Sequence, residues 1–228
     1  MSYLTEHGLL FASQHGFRSN HSTETATLEF LEKIFKYLDN NRTPISIFLD
    51  LSKAFDTLNH QILLHKLSYY GIKIFALAWF ESHLTNRYQC VKYSNYISQQ
   101  LPIETGAPQG SILGPLLFVI YMNDISEAST IFDFVLYADD TSLTCSLENR
   151  SPHGTDKTDA NKIINNELDQ IYTWLSSNKL SLNVSKSKFM VFHLPCKDVS
   201  SLGSIQLAIK GVCLTRAQEF DFFGNGNF

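Results

Sequence analysis

The sequence predicts an α+β fold: an antiparallel sheet with helices packed on one face. Three observations predict it. Short apolar, β-branched runs such as "ISIFLD" and "KFMVFHL" are separated by segments whose apolar residues recur at helical spacing. Two stretches, "YQCVKYSNYISQQLPIETG" and "FDFVLYADDTSLTCSL", read as hairpins, which join antiparallel neighbours. The elements also lack the strict strand–helix–strand rhythm of a parallel sheet.

Taken in order, residues 22 to 41 place Leu28, Leu31, Ile34, Phe35 and Leu38 on one helical face. Ser22 or Thr23 caps the start, and Asn40 and Asn41 before Pro44 end it. Ile45 to Asp50 is a buried strand. From Ala54 to Tyr70 the spacing is helical again, with Leu58, Ile62, Leu63 and Leu67 inward and Gly71 as the stop. A further helix covers Ile74 to Leu84. The hairpin from Tyr88 to Gly106 turns at Ser94 and Asn95. "APQGSILGPLLFVIYMNDI" begins as a Gly/Pro loop and continues as a very apolar helix. Phe134 to Ala138 and Thr141 to Leu147 form two β-rich halves with Asp139 and Asp140 at the join. Residues 148 to 158 are a polar surface loop. Ala160 to Ser177 is an amphipathic helix with Ile164, Leu168, Ile171 and Leu175 as its stripe. "KFMVFHL" and "SIQLAIKGVCL" supply the last strands, and the tail "EFDFFGNGNF" starts strand-like before losing its pattern.

Bulk properties narrow the function. The 228 residues are 44% hydrophobic and 13% aromatic, enough for one sizeable core. The longest apolar stretch, Leu113 to Met122, is too short to cross a bilayer and contains Gly114 and Pro115, so no membrane role is expected. No basic region precedes the first apolar residues, which argues against a secretory signal. Cys90, Cys145, Cys196 and Cys213 are scattered without a C-x-x-C pair, which suits a reducing compartment rather than a disulfide framework or zinc site. The net charge of −4 argues mildly against binding nucleic acid, unless a local basic groove and metal ions intervene.

The carboxylates are the chemical feature. Asp139 and Asp140 repel each other side by side, and burying either without compensation is costly. Asp50 closes the "ISIFL" strand, with Asp56 on the next turn. If the two strands are neighbours, Asp50, Asp139 and Asp140 converge into a site for hard divalent cations, and bound cations neutralise the cluster. Two such ions about 3.5–4 Å apart assist phosphoryl transfer. The ordinary alternatives are a solvated Asp-rich turn and, for Asp50, a helix N-cap.

Further stretches decide between them. In order, "GFR" (Gly16 to Arg18), "FLDLSKAFD", "GAPQGSILGPLLFVIYMNDI", "YADD" and "LSLNVSKSKFMVF" resemble the reverse transcriptases of LINE-type (non-LTR) retrotransposons, from about Gln14 to Leu214. The resemblance implies a polymerase palm plus partial fingers, with the thumb lacking. Residues 1–43 would be partial fingers, 44–214 the palm with finger-side insertions, and 215–228 a frayed tail. It implies that Asp50, Asp139 and Asp140 bind two Mg²⁺ ions, or Mn²⁺, with the carbonyl of Leu51 as a further ligand. Phe55 would lie under the sugar of the incoming nucleotide and exclude a 2′-hydroxyl. Gln109 and Gly110 would lie beneath the templating base pair, Arg18 would reach the triphosphate, and Tyr137 would be near the primer terminus. Lys186, or Lys188, would approach the leaving pyrophosphate as general acid.

The partners implied are an RNA template, a DNA primer and dNTPs, in the cytoplasm or nucleus. The expected activity is RNA-directed DNA polymerisation. The sequence ahead of "QHGFR" is shorter than the family's, and no full thumb follows. A catalytically inactive relic, or an interaction fragment, is therefore the rival. An RNA-dependent RNA polymerase palm is another, against which Phe55 speaks.

Overall fold

Why each element forms is visible in its caps and its buried row. The computed structural model describes residues 2–108, 110–147, 157–194, 205–219, 221–222 and 226–227. After the short α1 (Ser2–Glu6) comes α2 (Thr23–Asp39). Ser22 and Thr25 exchange side-chain-to-backbone hydrogen bonds at its start, a capping box that satisfies two first-turn N–H groups. The buried row is Ala26, Phe30 and Ile34, while Leu28 is 66% and Phe35 58% exposed. The predicted stripe through Leu28 and Phe35 is therefore rotated. Residues 26, 30 and 34 form an equally good i, i+4 ridge, and the Phe48 ring, 5.8 Å from that of Phe30, selects it.

Strand β1 (Thr43–Leu49) leads into β2 (Leu51–Ser52) and a single 3₁₀ turn at Ala54–Asp56. The helix expected from Ala54 onward starts only at α3 (His60–Tyr69), because Asn59 takes the N-cap role and its Oδ1 accepts the Ile62 N–H at 3.1 Å. Leu58, Leu63 and Leu67 are buried as expected, and Ile62 is half-buried. Helix α4 (Ile74–Leu84) follows the glycine stop at Gly71, whose φ is 88°. Then come β3 (Tyr88–Gln89), β4 (Lys92–Tyr93), β5 (Tyr96–Ile97) and β6 (Leu101–Pro102), nested as the expected hairpin with Tyr93 opposite Tyr96. Buried α5 (Leu113–Met122) precedes β7 (Asp133–Tyr137) and β8 (Asp140–Leu147). The predicted loop at 148–158 falls almost wholly outside the described residues.

Helix α6 (Lys157–Ser177) buries Ile164, Leu168, Ile171 and Leu175, the predicted stripe. The remaining pieces are β9 (Ser181–Leu182), β10 (Lys188–Val191), β11 (Ala208–Ile209), β12 (Val212–Cys213) and β13 (Thr215–Arg216). In the tail, β14 (Asp221–Phe222) pairs with β15 (Gly226–Asn227).

Five strands form the central sheet in the order β13-β10-β1-β8-β7. All neighbours are antiparallel except β10 and β13. Side chains alternate between faces along each strand. Ile45, Ile47, Leu49, Leu136, Leu143 and Phe189 join the main core with α3, α5 and α6. Phe48, Val135 and Met190 form a second core with Ala26, Phe30 and Ile34 of α2. Helices thus cover the sheet from both sides, not from one. All seven residues of β1 are buried, and a strand buried on both faces needs cover on both.

Candidate active site

The site is built where β1 ends and β8 begins. Leu49 pairs with Thr141, so extending the register by one residue sets Asp50 opposite Asp140. Opposed residues share a face, and Asp50 lies on the face of Phe48 two positions back. Tyr137 pairs with Asp140 across the β7–β8 hairpin and packs at the edge of the α2 core on that same face. Asp139 occupies the two-residue turn with Ala138. The Asp pair is therefore divided, one residue in the turn and one in the strand, where the sequence placed both at the join. All three carboxylates are half-buried.

Asp50 is held through its backbone. Its N–H donates to Ser187 Oγ at 3.2 Å, and its carbonyl accepts the Asn183 N–H at 2.8 Å. Ser187 Oγ in turn donates to the Asn183 carbonyl at 2.9 Å. Leu51 pairs with Leu182, which docks β9 on the next residue. The turn between β9 and β10 thus wraps the end of β1. Lys186 is exposed on that turn, and Lys188, opposite Phe48, is half-buried. Asn183 and Ser187 hold the Asp50 backbone through contacts that the sequence did not predict. Their only local signal is a polar Asn-x-Ser-x-Ser stretch, which reads equally as any turn.

Phe55 sits on the 3₁₀ turn after Lys53, whose φ is 50°. Its ring is 4.5 Å from that of buried Phe118 and 6.2 Å from that of Phe17. The loop before α5 is stitched onto this turn. The Gly106 N–H donates to the Leu58 carbonyl at 2.8 Å and the Ala107 N–H to the Phe55 carbonyl at 3.0 Å. Buried His60 donates from Nε2 to the Gly106 carbonyl at 2.8 Å, which fixes its tautomer. Gly106 has φ 90°, and a Cβ there would meet the Asp56 carbonyl oxygen at 3.0 Å. The result is a cleft of about 440 Å³ lined by Phe55, Ala107, Pro108, Gly110, Ser111 and Ile112 among others. Gly110 has φ 79° and open space beside it. Phe55 and Gly110, separated by 54 intervening residues in the sequence, therefore line one cleft. Gln109 lies outside the described residues.

Arg18 is engaged locally. Its Nη1 donates to the carbonyls of Phe11, Ala12 and Gln14 at 2.9, 3.2 and 3.0 Å, and burial draws its pKa down. It therefore organises the loop before α2.

Among the described residues no group of three or more His, Cys, Asp or Glu side chains forms a metal-holding cluster. The donor chemistry nonetheless fits a divalent cation of the Mg²⁺ type. Such an ion usually takes one or two carboxylates and completes its shell with water and substrate phosphates, rather than using a closed protein cage. Among the described residues no helix is long and apolar enough to cross a membrane.

The profile of the family described as reverse transcriptase (RNA-dependent DNA polymerase) matches residues 1–225. The chain is 28% identical over 204 residues to the probable RNA-directed DNA polymerase from transposon X-element of Drosophila melanogaster, covering 85% of this chain and 21% of that protein. It is 26% identical over 238 residues to the probable RNA-directed DNA polymerase from transposon BS of the same species, covering 97% of this chain and 24% of that one. The chain thus spans about a fifth to a quarter of these relatives. Its fold is similar to that of Candida albicans telomerase, solved with a fragment of telomeric RNA. The TM-score is 0.56 at 14% identity, over 99% of this chain and 36% of that one.

Proposed function

Because the chain belongs to the reverse transcriptase (RNA-dependent DNA polymerase) family, we propose that it carries the catalytic palm of a retrotransposon polymerase that extends a DNA primer along an RNA template. The observation that carries this reading is the β1–β8 register, which brings Asp50 level with Asp140 beside the Asp139 turn. Bound Mg²⁺ or Mn²⁺ would activate the attacking 3′-hydroxyl and stabilise the charge leaving the α-phosphate. Asp50, Asp139, Asp140 and the Leu51 carbonyl would hold the ions. Phe55 and Gly110 would receive the dNTP in their shared cleft. Tyr137 would lie near the primer end. Arg18 has nitrogens beyond Nη1 for the triphosphate, and Lys186 or Lys188 would protonate the pyrophosphate.

The test is dTTP incorporation on a poly(rA) template primed with oligo(dT), with Mg²⁺ or Mn²⁺. Weak, non-processive extension is the expected result. Folded protein that extends nothing under either metal overturns the reading and favours an inactive relic.

The Phe55 assignment has its own test. Phe55→Ala removes the ring that would collide with a ribose 2′-hydroxyl, so the preference for dTTP over UTP is expected to fall by about 10–100-fold, the scale of discrimination by pocket fit. Single-nucleotide incorporation with each substrate measures it. An unchanged ratio leaves Phe55 as a packing residue against Phe118 and reopens the RNA polymerase alternative.

A further inference from the structure

The turn that carries Asp139 needs support from outside the hairpin. Its two loop residues are Ala138 and Asp139, between the paired Tyr137 and Asp140. Ala138 has φ 57°, whereas Asp139 is not among the left-handed residues. That is the sign pattern of a type II′ turn, whose first loop position ordinarily takes glycine. A side chain with a Cβ resists this conformation, so other turn geometries compete unless a neighbour restrains it.

The neighbour is the segment Ser13–Gly16. Gln14 is fully buried, and its Oε1 accepts the Ala138 N–H at 3.3 Å and the Gly16 N–H at 2.8 Å. Gly16 lies so close that a Cβ on it would stand 2.2 Å from the Ala138 nitrogen. On either side of Gln14, the His15 N–H donates to the Leu136 carbonyl at 2.7 Å and the Leu136 N–H to the Ser13 carbonyl at 2.9 Å. The strap is itself anchored to α2. His15 bonds Thr25 and Glu29 at 2.9 and 2.7 Å, and Lys33 bridges Glu29 to the Phe134 carbonyl at 2.7 and 3.2 Å. Gln14 Nε2 is buried with no hydrogen-bond partner among the described residues. An apolar side chain would fill this space without that penalty, so what singles out glutamine here is its acceptor oxygen.

We propose that Gln14 is a positioning residue for the catalytic hairpin: its Oε1 holds Ala138 left-handed and thereby sets Asp139 and Asp140 against Asp50. This rests on the metal-site reading above. The residue touches neither substrate nor metal and acts through the turn.

Gln14→Met keeps the volume and removes the acceptor, and Gly16→Ala presses on the same nitrogen from another residue. Two readouts are taken on the full chain: exchange of the Ala138 amide with deuterium, and Mn²⁺-induced broadening of the Asp139–Thr141 amide signals. In each variant Ala138 exchange is expected to quicken, and half-saturating Mn²⁺ to rise by about tenfold or more, as for loss of a residue that orients metal ligands. Adding Ala138→Gly to Gln14→Met supplies the residue that the turn prefers, so Mn²⁺ affinity should recover. A filler role for Gln14 would not be rescued in this way. Broadening that Gln14→Met leaves unchanged, or a loss that Ala138→Gly does not restore, overturns the inference alone. No Mn²⁺ effect at these amides in the unaltered chain overturns the metal-site reading and the inference together.

Discussion

Asp139→Asn is expected to lower dTTP incorporation on a primed RNA template by about a thousandfold or more, with the fold intact. A thousandfold corresponds to roughly 4 kcal/mol of transition-state stabilisation, within the several kcal/mol that metal-assisted charge stabilisation supplies. An amide oxygen is a weaker ligand for a hard cation than a carboxylate. Without metal the substitution should not weaken the fold. It removes one of two adjacent like charges, and among the described residues the Asp139 side chain has no hydrogen bond or ion pair to lose. Thermal unfolding and primer extension on one preparation separate the two effects. Asp50→Asn is expected to match it in activity, because the β1–β8 register sets Asp50 opposite Asp140, next to Asp139. A variant at either position that retains full incorporation overturns the carboxylate assignment.

Phe118→Ala is expected to have the largest effect on stability. Phe118 is fully buried at the centre of α5, within the main core, and its ring stacks at a tilt on that of Phe55 at 4.5 Å. Emptying such a position costs about 3–5 kcal/mol through lost burial and the cavity left behind. At about 2–4 °C per kcal/mol for a chain of this size, the unfolding midpoint should fall by roughly 10 °C. Denaturant unfolding measures it, and a loss below about 1 kcal/mol would show that the core relaxes into the space. The cleft proposed to receive the nucleotide should suffer as well, since Phe118 backs the Phe55 ring. Loss of dTTP affinity at a temperature where the variant is still folded would show that coupling.

Several elements were readable because their signals are local. The stripe of α6, the capping residues of α2 and the turn at Ser94 rest on residues within a few positions of one another. Asp50 and Asp139–Asp140 stood out because charges at the ends of apolar strands need a reason. Where a second partner decides, local spacing failed. The buried row of α2 depends on Phe48 across the sheet, and the start of α3 depends on an Asn59 cap that competes with helical periodicity. The role proposed for Gln14, and the bond from His60 to Gly106, have no periodic or compositional signature. One polar side chain in a short segment looks the same whether it faces solvent or a backbone N–H more than a hundred residues away.

By itself the sequence determined the antiparallel α+β class, the strands that end in carboxylates and, through its ordered motifs, the family. Only the tertiary structure decided that β8 lies between β1 and β7 in the register pairing Leu49 with Thr141. A slip of one residue would turn Asp140 to the opposite face from Asp50. Register between distant strands is chosen by cores packed on both faces of the sheet, and no stretch of either strand contains that information.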